Sequence, residues 1–384
     1  MNQKTNLITV ISFCLVLFVL SALFVLMPDR DFSQQENRAL QKLPALTTEN
    51  FFSGAFAKDI NVYFADQFPF RDGLVKIKSA SELAFVKLEN NGVLYHSDQL
   101  AVKDFRAYKS RLHIAEDTDR IFLETVQAQL ELYDEFASKL SVPLVTILPP
   151  RTIDVADDVF IYNRPDGDAV FDLMNECLSD KCGYIDMLSI LRPLYQDGEY
   201  VMYRTDHHWT SFGAYQAYCR VMKQLDRESK IIPIESFEIE QVQDFSGTTA
   251  ARANFPVYQK DVLEIWHLPD DQAYSVLADG KDLGGFYSLS YLDASDKYSV
   301  FLDGTHNITH ITKQGETRDT LLIAKDSFAN SLIPFLAREF DIVAVNLHTN
   351  TNVSALAEQY SAAAVLVVYN TENIITTPDL GNIK

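Results

Sequence analysis

The sequence predicts an α/β fold, in which helices cover a parallel sheet and one apolar helix comes first. Strand-like and helical segments alternate through the last third of the chain, as they do in βαβ units. Earlier, a helical stripe over residues 121–140 runs into an apolar, β-rich segment at residues 142–148. Residues 7–27 are almost wholly apolar, which indicates a separate element outside the domain.

The apolar N-terminal run is long enough to cross a membrane, because about 20 such residues span a hydrocarbon core. Lys4 precedes it and acidic residues follow it, which favours a cytoplasmic N-terminus and an extracytoplasmic remainder. A cleaved signal peptide is the rival interpretation. The length of the run and the lack of an A-x-A site after it favour an uncleaved anchor. Residues 1–27 are therefore predicted to be a cytoplasmic tip and a transmembrane anchor.

The rest of the chain divides into a lead-in and one larger domain. Residues 28–100 are predicted to be a stalk and a partly helical lead-in, in which Pro69 must interrupt any helix. Residues 101–384 are predicted to be the main α/β domain. Its predicted strands are residues 142–148, 184–187, 298–302, 320–324, 341–347 and 364–369, and its predicted helices include 121–140, a segment ending at Phe340, and 353–363.

Composition excludes nucleic acid as a partner. The 384 residues carry a formal charge of −20, and no basic stripe is present that could follow a phosphate backbone. The hydrophobic fraction of 47% is enough for a sizeable core.

The cysteines leave two alternatives open. Cys177 and Cys182 flank a short polar turn and would suit a small disulfide loop outside the membrane, or they are two ordinary thiols. No second Cys or His pair has zinc spacing relative to them, so no structural metal is predicted.

A first cluster of chemically active residues covers residues 203–210. We expect it to be an extended approach to a helix that begins near Thr210. In an extended chain Asp206 and His208 would project together and His207 the other way. A carboxylate beside an imidazole fixes the imidazole tautomer for acid–base work. The alternatives are a metal site formed by these three residues and a plain polar turn.

A second cluster covers residues 321–330. An apolar strand runs into Ser327, and a helical stripe leaves it. A serine at a strand-to-helix turn lies where α/β folds place their chemistry, and the helix N-terminus offers N–H groups to an oxyanion. The competing interpretation is an ordinary Asp or Ser helix cap.

These two clusters, in this order, resemble the DHHW-motif proteins, relatives of the alginate O-acetyltransferases within the SGNH-hydrolase-like group. The resemblance rests on residues 205–210 and 325–330, with support from residues 36–38, 66–72 and 298–306. It implies an SGNH-hydrolase-like three-layer α/β domain with a parallel sheet. It also implies Ser327 as nucleophile, His208 as base and Asp206 as the residue that orients the base.

One position differs from the related enzymes. They have Gly-Asp-Ser at the nucleophile, and in this chain Lys325 replaces that glycine. The resemblance also implies oxyanion or substrate-binding residues on other loops. The candidates for these are Gly304, His306, Asn307, Arg151 and Tyr203.

The resemblance implies a serine-dependent O-acetyltransferase or acetylesterase that acts on a cell-envelope or secreted polysaccharide through an acyl-enzyme. No cofactor or metal is expected. The implied location is the bacterial cytoplasmic membrane, with one span and an extracytoplasmic catalytic domain. A multispanning membrane O-acyltransferase is the implied partner. The alternatives are a non-catalytic carbohydrate-binding or scaffold subunit, and a metal-dependent hydrolase that uses Asp206, His207 and His208.

Overall fold

The computed structural model describes residues 3–33, 36, 38–97, 99–102, 115–160, 168–256, 259–349 and 351–384. The chain forms two compact units. Unit 1 comprises Met1–Asn90 and Asn254–Pro256, and unit 2 comprises Asn91–Ala253 and Val257–Lys384. The predicted domain boundaries at 27/28 and 100/101 remain predictions.

Unit 1 is mostly helical. Its helices are α1 (Gln3–Leu26), α2 (Thr48–Phe52), α3 (Ala55–Asp66) and α4 (Arg71–Ala84), and its short strands are β1 (Phe32–Ser33), β2 (Arg38–Ala39) and β3 (Glu89–Asn90). The predicted helix break at Pro69 lies between α3 and α4.

Helix α1 contains a 21-residue apolar stretch, Asn6–Leu26, with a mean hydropathy of 2.9. Within the described residues it is the single helix that is long and apolar enough to cross a membrane. A signal sequence would have the same length and composition, so these properties fit either an anchor or a signal.

An ion-pair cluster organises the segment after α1. The Arg38 guanidinium donates to both carboxylate oxygens of the buried Asp66, at 2.6 and 2.9 Å. Glu36 accepts from Arg38 and from Arg71, at 2.8 and 2.9 Å, and from the Asn254 amide at 3.3 Å. The hydrogen bond from Arg38 lowers the pKa of Asp66. The described residues of segments 36–38 and 66–72 therefore build one polar network; Asn37 lies outside the described residues.

Unit 2 is built around a sheet of eight strands. Two antiparallel strand pairs lie outside it: β4 (Val93–His96) with β5 (Gln99–Val102), and β8 (Glu238–Phe245) with β9 (Asp261–His267). The large sheet has the spatial order β11 (Lys281–Asp282), β10 (Tyr274–Ala278), β12 (Ile308–Lys313), β14 (Asp341–Asn346), β13 (Thr320–Lys325), β15 (Ala364–Val368), β6 (Leu144–Ile147) and β7 (Tyr184–Ile185).

Five neighbouring strands of this sheet, from β14 to β7, are parallel, and the other three pair antiparallel at one side. The predicted α/β fold with a parallel sheet is therefore confirmed, and three antiparallel strands that were not predicted extend the sheet at one side. Every residue of β6 and β15 is buried, as expected for strands with helices on both faces.

The helices of unit 2 are α5 (Ala115–Lys139), α6 (Thr152–Val155), α7 (Asp168–Cys177), α8 (Leu188–Gln196), α9 (Ser211–Gln224), α10 (Thr248–Ala253), α11 (Ala329–Leu336), α12 (Val353–Gln359) and α13 (Thr371–Thr376). Helix α11 connects β13 to β14, and α12 connects β14 to β15 on the other side of β13. Because such crossovers are right-handed, α11 and α12 lie on opposite faces. Helix α9 packs against α11, and α5 packs against α7 and α13.

The strand predicted at residues 298–302 is wrong. Residues Lys297–Val300 form a 3₁₀ turn, and Phe301 makes an isolated bridge to Tyr287. Tyr298, Val300 and Phe301 are all buried in one aromatic cluster, which a strand could not achieve, because successive side chains would point to opposite faces.

The cysteine alternatives resolve as thiols in this structure, since Cys177 and Cys182 are both free. The Cys182 thiol donates a hydrogen bond to the Asp134 carboxylate at 3.3 Å. Burial raises the pKa of Cys182 to about 12, which keeps the group protonated and unreactive at neutral pH.

Candidate active site

Residues 202–209 carry the two histidines and form a closed loop, which we call the histidine loop. Met202 and Trp209 pair as an antiparallel bridge, and the Tyr203 N–H donates to the His208 carbonyl at 3.2 Å. Between them the chain turns, and Asp206 Oδ1 accepts the His208 N–H at 3.0 Å. The predicted extended approach is therefore wrong. The segment turns because the Asp206 side chain bonds to the backbone two residues on.

The direction predicted for His207 is also wrong. Its ring lies over that of His208, with centroids 3.9 Å apart and planes tilted by 37°. The ring of Tyr298 stacks on His208 as well, at 3.7 Å and 7°. Both centroids are within 4 Å, so Tyr298 and His207 must hold opposite faces of the His208 imidazole. The imidazole is thereby fixed in orientation.

Asp206 is fully buried and accepts four hydrogen bonds. Oδ1 accepts from His208 Nδ1 at 2.6 Å and from the His208 N–H at 3.0 Å. Oδ2 accepts from the Thr248 N–H at 2.7 Å and from the Thr248 hydroxyl at 2.9 Å. Burial acts to raise the pKa of Asp206, but the two imidazoles and these hydrogen bonds outweigh it and hold the pKa well below its usual range. The carboxylate therefore stays ionised beside His208.

Gly247 allows Thr248 to approach Asp206 this closely. A Cβ at position 247 would lie 2.7 Å from Asp206 Cγ and closer still to its Cβ and Oδ2. In the sequence, Gly247 follows a strand and precedes two threonines. This pattern predicts a turn, but it does not identify Asp206 as the residue that the turn contacts.

Ser327 lies two residues beyond β13, at the carboxyl edge of the parallel sheet, and its Oγ is 2.8 Å from His208 Nε2. Asp326 shapes this turn, because its carboxylate accepts the N–H groups of Phe328 at 3.0 Å and Asn370 at 2.6 Å. No described residue accepts a hydrogen bond from the Ser327 N–H. That donor is thus open at the nucleophile position.

Trp209 joins the histidine loop to the turn at Ser327. Its fully buried indole N–H donates to the Phe328 carbonyl at 3.1 Å and to the Ser331 hydroxyl at 3.0 Å. The Tyr298 hydroxyl lies 3.1 Å from the same Ser331 oxygen. The groups around His208 and Ser327 are thus held by one hydrogen-bonded network.

Lys325, at the position where the related enzymes have glycine, ends β13 without a positive φ, so glycine's conformational freedom is not needed there. Its ammonium group is buried and donates to Asn330 Oδ1 at 2.7 Å, while the Asn330 amide donates to the Gly304 carbonyl at 2.9 Å. Burial lowers the pKa of Lys325 to about 8, against a smaller opposite effect of Asp326.

This buried lysine predicts a specific pH dependence of stability. Between pH 8 and 10.5 the unfolded chain binds the Lys325 proton and the folded chain does not, so the free energy of unfolding should rise with pH across that window. The gain should be about 3 kcal/mol for this group. Denaturant unfolding of the wild type and Lys325→Met from pH 7.5 to 10.5 measures it. The variant should lack the rise, and parallel curves would contradict the assignment.

The five loop residues predicted for the oxyanion or substrate are not among the residues that line the cavity beside Ser327. The Gly304 carbonyl bonds to Asn330, and His306 lies 3.5 and 3.6 Å from Asp279 and Asp303. The remaining three are also engaged or buried: the Asn307 N–H donates to Asp279, Arg151 forms a buried pair with Asp154, and Tyr203 is fully buried. Their predicted roles remain predictions.

The cavity beside Ser327 has a volume of about 260 Å³. Its lining includes His207 and several polar residues that the sequence analysis did not single out, namely Thr248, Arg252, Asn370, Glu372 and Asn373. The last three follow the end of β15, so the rule that pointed to Ser327 after β13 would also have pointed to them.

Asp206, His207 and His208 lie close enough to share a metal ion, with one ligand atom from each within 4.8 Å of the others. The geometry of their donors favours another use. His208 Nδ1 and Nε2 contact Asp206 and Ser327, and His207 Nδ1 contacts Thr248 at 2.8 Å. An ion would have to displace at least one of these contacts.

Comparison with known proteins agrees with this description. The sequence profile of the DHHW protein family matches residues 150–346, a range that contains the histidine loop and Ser327. The chain belongs to the DHHW protein family. No curated protein sequence matches it.

Solved structures share the fold of this DHHW protein. A DHHW family protein from Eubacterium siraeum DSM 15702 is 19% identical, with a TM-score of 0.53 over 77% of this chain and 95% of the other. Bacillus cereus PatB1 with a sulfonyl adduct is 17% identical, with a TM-score of 0.57 over 75% and 98%. A weaker likeness is to the O-acetyltransferase domain of Pseudomonas putida AlgJ, at 12% identity and a TM-score of 0.46 over 76% and 95%.

Proposed function

We propose that this protein is a serine-dependent acyl-transfer enzyme, in which Ser327 is the nucleophile, His208 the base and Asp206 the residue that orients the base. The observation that carries the proposal is the pair of hydrogen bonds made by one imidazole, to Asp206 at 2.6 Å and to Ser327 at 2.8 Å. This order of carboxylate, imidazole and hydroxyl activates serine in unrelated folds.

Acylation would begin with proton transfer. The ionised Asp206 fixes the proton of His208 on Nδ1, so that Nε2 accepts the Ser327 proton as Oγ attacks an ester carbonyl. The open N–H of Ser327 is the proposed first donor to the resulting oxyanion. The imidazolium then protonates the leaving alcohol, and the acyl group remains on Ser327.

Deacylation would follow the same path with another alcohol. His208 removes a proton from an acceptor hydroxyl, whose oxygen forms a bond to the acyl carbon while the bond to Ser327 Oγ breaks. The proton then returns to Ser327. With a sugar hydroxyl the result is O-acetyl transfer, and with water it is hydrolysis. The polar lining beside Ser327 suits a polyhydroxylated acceptor.

The test is the reaction of the full-length protein with p-nitrophenyl acetate. We expect a burst of nitrophenol and an adduct of about 42 Da, the mass of an acetyl group replacing hydrogen, on the peptide that contains Ser327. Ser327→Ala should show no adduct and lose at least about 10³-fold in turnover. A full burst in Ser327→Ala would refute the proposal.

Two controls sharpen this experiment. A sulfonyl fluoride should label Ser327 in the wild type and fail to label it in His208→Ala; Bacillus cereus PatB1, whose structure contains a sulfonyl adduct, suggests this probe. A chelator should leave the burst unchanged, whereas loss of the burst would favour the metal-dependent hydrolase that uses Asp206, His207 and His208.

We further propose that α1 anchors the enzyme in a bacterial cytoplasmic membrane, with unit 2 outside the cell. The acceptor would then be an envelope or secreted polysaccharide, and a multispanning acyltransferase would deliver the acyl group. The 21-residue apolar stretch in α1 and the polar cavity at Ser327 support this arrangement. Protection of unit 2 from external protease in intact spheroplasts would contradict it.

The second candidate is a non-catalytic, carbohydrate-binding scaffold subunit. Carbohydrate binders usually stack sugars on exposed aromatic rings, but Trp209 and Trp266 are both buried. Glycan binding that is unchanged by Ser327→Ala, together with no burst in the wild type, would favour the scaffold.

A further inference from the structure

His207, the other imidazole of the histidine loop, packs on His208 but transfers no proton in the reaction described so far. Its side chain is 36% exposed and lines the cavity that contains Ser327. Nδ1 lies 2.8 Å from the Thr248 hydroxyl oxygen. No described residue bonds to His207 Nε2.

The hydrogen-bond directions around Thr248 fix the His207 tautomer. The Thr248 hydroxyl lies 2.9 Å from Asp206 Oδ2, and an ionised carboxylate can only accept, so the single hydroxyl proton goes to Asp206. The hydroxyl oxygen must then accept from His207, which places the proton of His207 on Nδ1. Nε2 therefore carries a lone pair and can only accept a hydrogen bond.

The relative position of the His207 and His208 rings sets the direction in which the Nε2 lone pair of each ring points. Nδ1 of His208 is 2.6 Å and Nδ1 of His207 is 3.6 Å from the same oxygen, Asp206 Oδ1. Because the ring centroids are also only 3.9 Å apart, both rings present their Nδ1 edge to Asp206 and their Nε2 edge away from it. For His208, that edge meets Ser327.

We infer that His207 Nε2 accepts a hydrogen bond from a second hydroxyl of the acceptor, next to the one that His208 deprotonates, so that the preferred acceptor is a vicinal diol on a sugar. The inference rests on the proposed function. A single hydroxyl has one proton, which goes to His208, so a second imidazole acceptor needs a second hydroxyl. Two adjacent imidazoles of the same tautomer, with planes tilted by 37°, offer two acceptor nitrogens to neighbouring hydroxyls.

The neutral state of His207 agrees with this role. Burial and the neighbouring His208 lower the pKa of His207, so the lone pair on Nε2 is retained at neutral pH. The groups facing the ring are Asp206, Thr248, His208 and Phe328. None of them donates a hydrogen bond to Nε2.

The test compares two acceptors for the acetyl-enzyme of the full-length protein, cis-cyclohexane-1,2-diol and cyclohexanol. We expect the wild type to transfer acetyl to the diol at least about 10-fold faster, as one hydrogen bond predicts. In His207→Phe, which keeps a ring stacked on His208, the preference should fall to about twofold, the factor for two equivalent hydroxyls. His207→Gln, which keeps an acceptor oxygen, should regain part of it.

The ratio of the two transfer rates within one variant separates this role from a structural one. Because His207 packs on His208, His207→Phe is expected to slow the burst with p-nitrophenyl acetate as well, and a slower acetylation affects both acceptors equally and cancels in the ratio. A ratio of diol to cyclohexanol transfer that is unchanged in His207→Phe would overturn the inference.

A second measurement is independent of turnover. The ¹⁵N spectrum of histidine-labelled wild type should show His207, assigned by its loss in His207→Phe, as the Nδ1–H tautomer. Its Nε2 resonance should move on addition of the diol and not of cyclohexanol. If the Nε2 resonance moves with the diol but the wild type shows no burst, only the acyl-transfer proposal is refuted. If His207 is the Nε2–H tautomer, or its resonance does not respond to the diol, the inference itself is overturned.

Discussion

Asp206→Asn should lower the rate of acylation by about 10³- to 10⁴-fold, because the amide cannot hold His208 in the required tautomer. Each oxygen of Asp206 accepts one backbone N–H, from His208 or from Thr248. Backbone donors cannot reverse, so either orientation of the asparagine amide sets its NH₂ group against an N–H. Burst kinetics with p-nitrophenyl acetate measure the loss.

The contact between the amide NH₂ group and a backbone N–H in Asp206→Asn should also lower the free energy of unfolding, since a buried donor without an acceptor costs about 1–3 kcal/mol. Thr248→Val is the matched control. It removes the hydroxyl donor to Asp206 Oδ2 but keeps the backbone donor, and it should reduce the burst rate far less. If Asp206→Asn acylates as fast as Thr248→Val, the carboxylate does not orient the base.

Gly247→Ala is expected to lower both the free energy of unfolding and the rate of acylation. The new methyl group would overlap the Asp206 side chain and push either the carboxylate or Thr248 out of place. Overpacking of this kind costs about 1–3 kcal/mol, and displacement of the carboxylate should lower acylation by about 10²-fold. Denaturant unfolding and burst kinetics of the same preparation check both effects.

Gly73→Ala provides the control for Gly247→Ala. A Cβ at position 73, in helix α4, meets no atom within 4 Å, and the residue has no positive φ. Alanine should stabilise that helix by about 0.5–1 kcal/mol and leave the burst unchanged. Equal losses in both variants would show that the contact with Asp206 is not the cause.

Local sequence patterns predicted the fold well because parallel strands are buried on both faces and stand out as apolar runs. Residues 320–324, 341–347 and 364–369 were predicted as strands and correspond to β13, β14 and β15 within one or two residues. The segment after β13 was predicted to carry the chemistry, because α/β folds place their active sites at the carboxyl ends of parallel strands.

Features that depend on distant contacts could not be predicted. Residues 203–210 were predicted to be an extended approach to a helix, whereas the Asp206 and His208 side chains meet because the loop closes on itself. Thr248 approaches Asp206 from 42 residues away in sequence, and no periodicity encodes that pairing. Residues 298–302 looked like a strand because burial in an aromatic cluster produces the same composition.

Asn254–Pro256 have a practical consequence for producing the protein. Both flanking elements, α10 and β9, belong to unit 2, yet these three residues belong to unit 1, where Asn254 donates to Glu36. A fragment that begins at residue 91 or 101 would therefore contain Asn254–Pro256 but lack Glu36, which accepts a hydrogen bond from the Asn254 amide. A truncated protein without α1 should instead begin between Leu26 and β1, so that it retains the ion pair between Arg38 and Asp66.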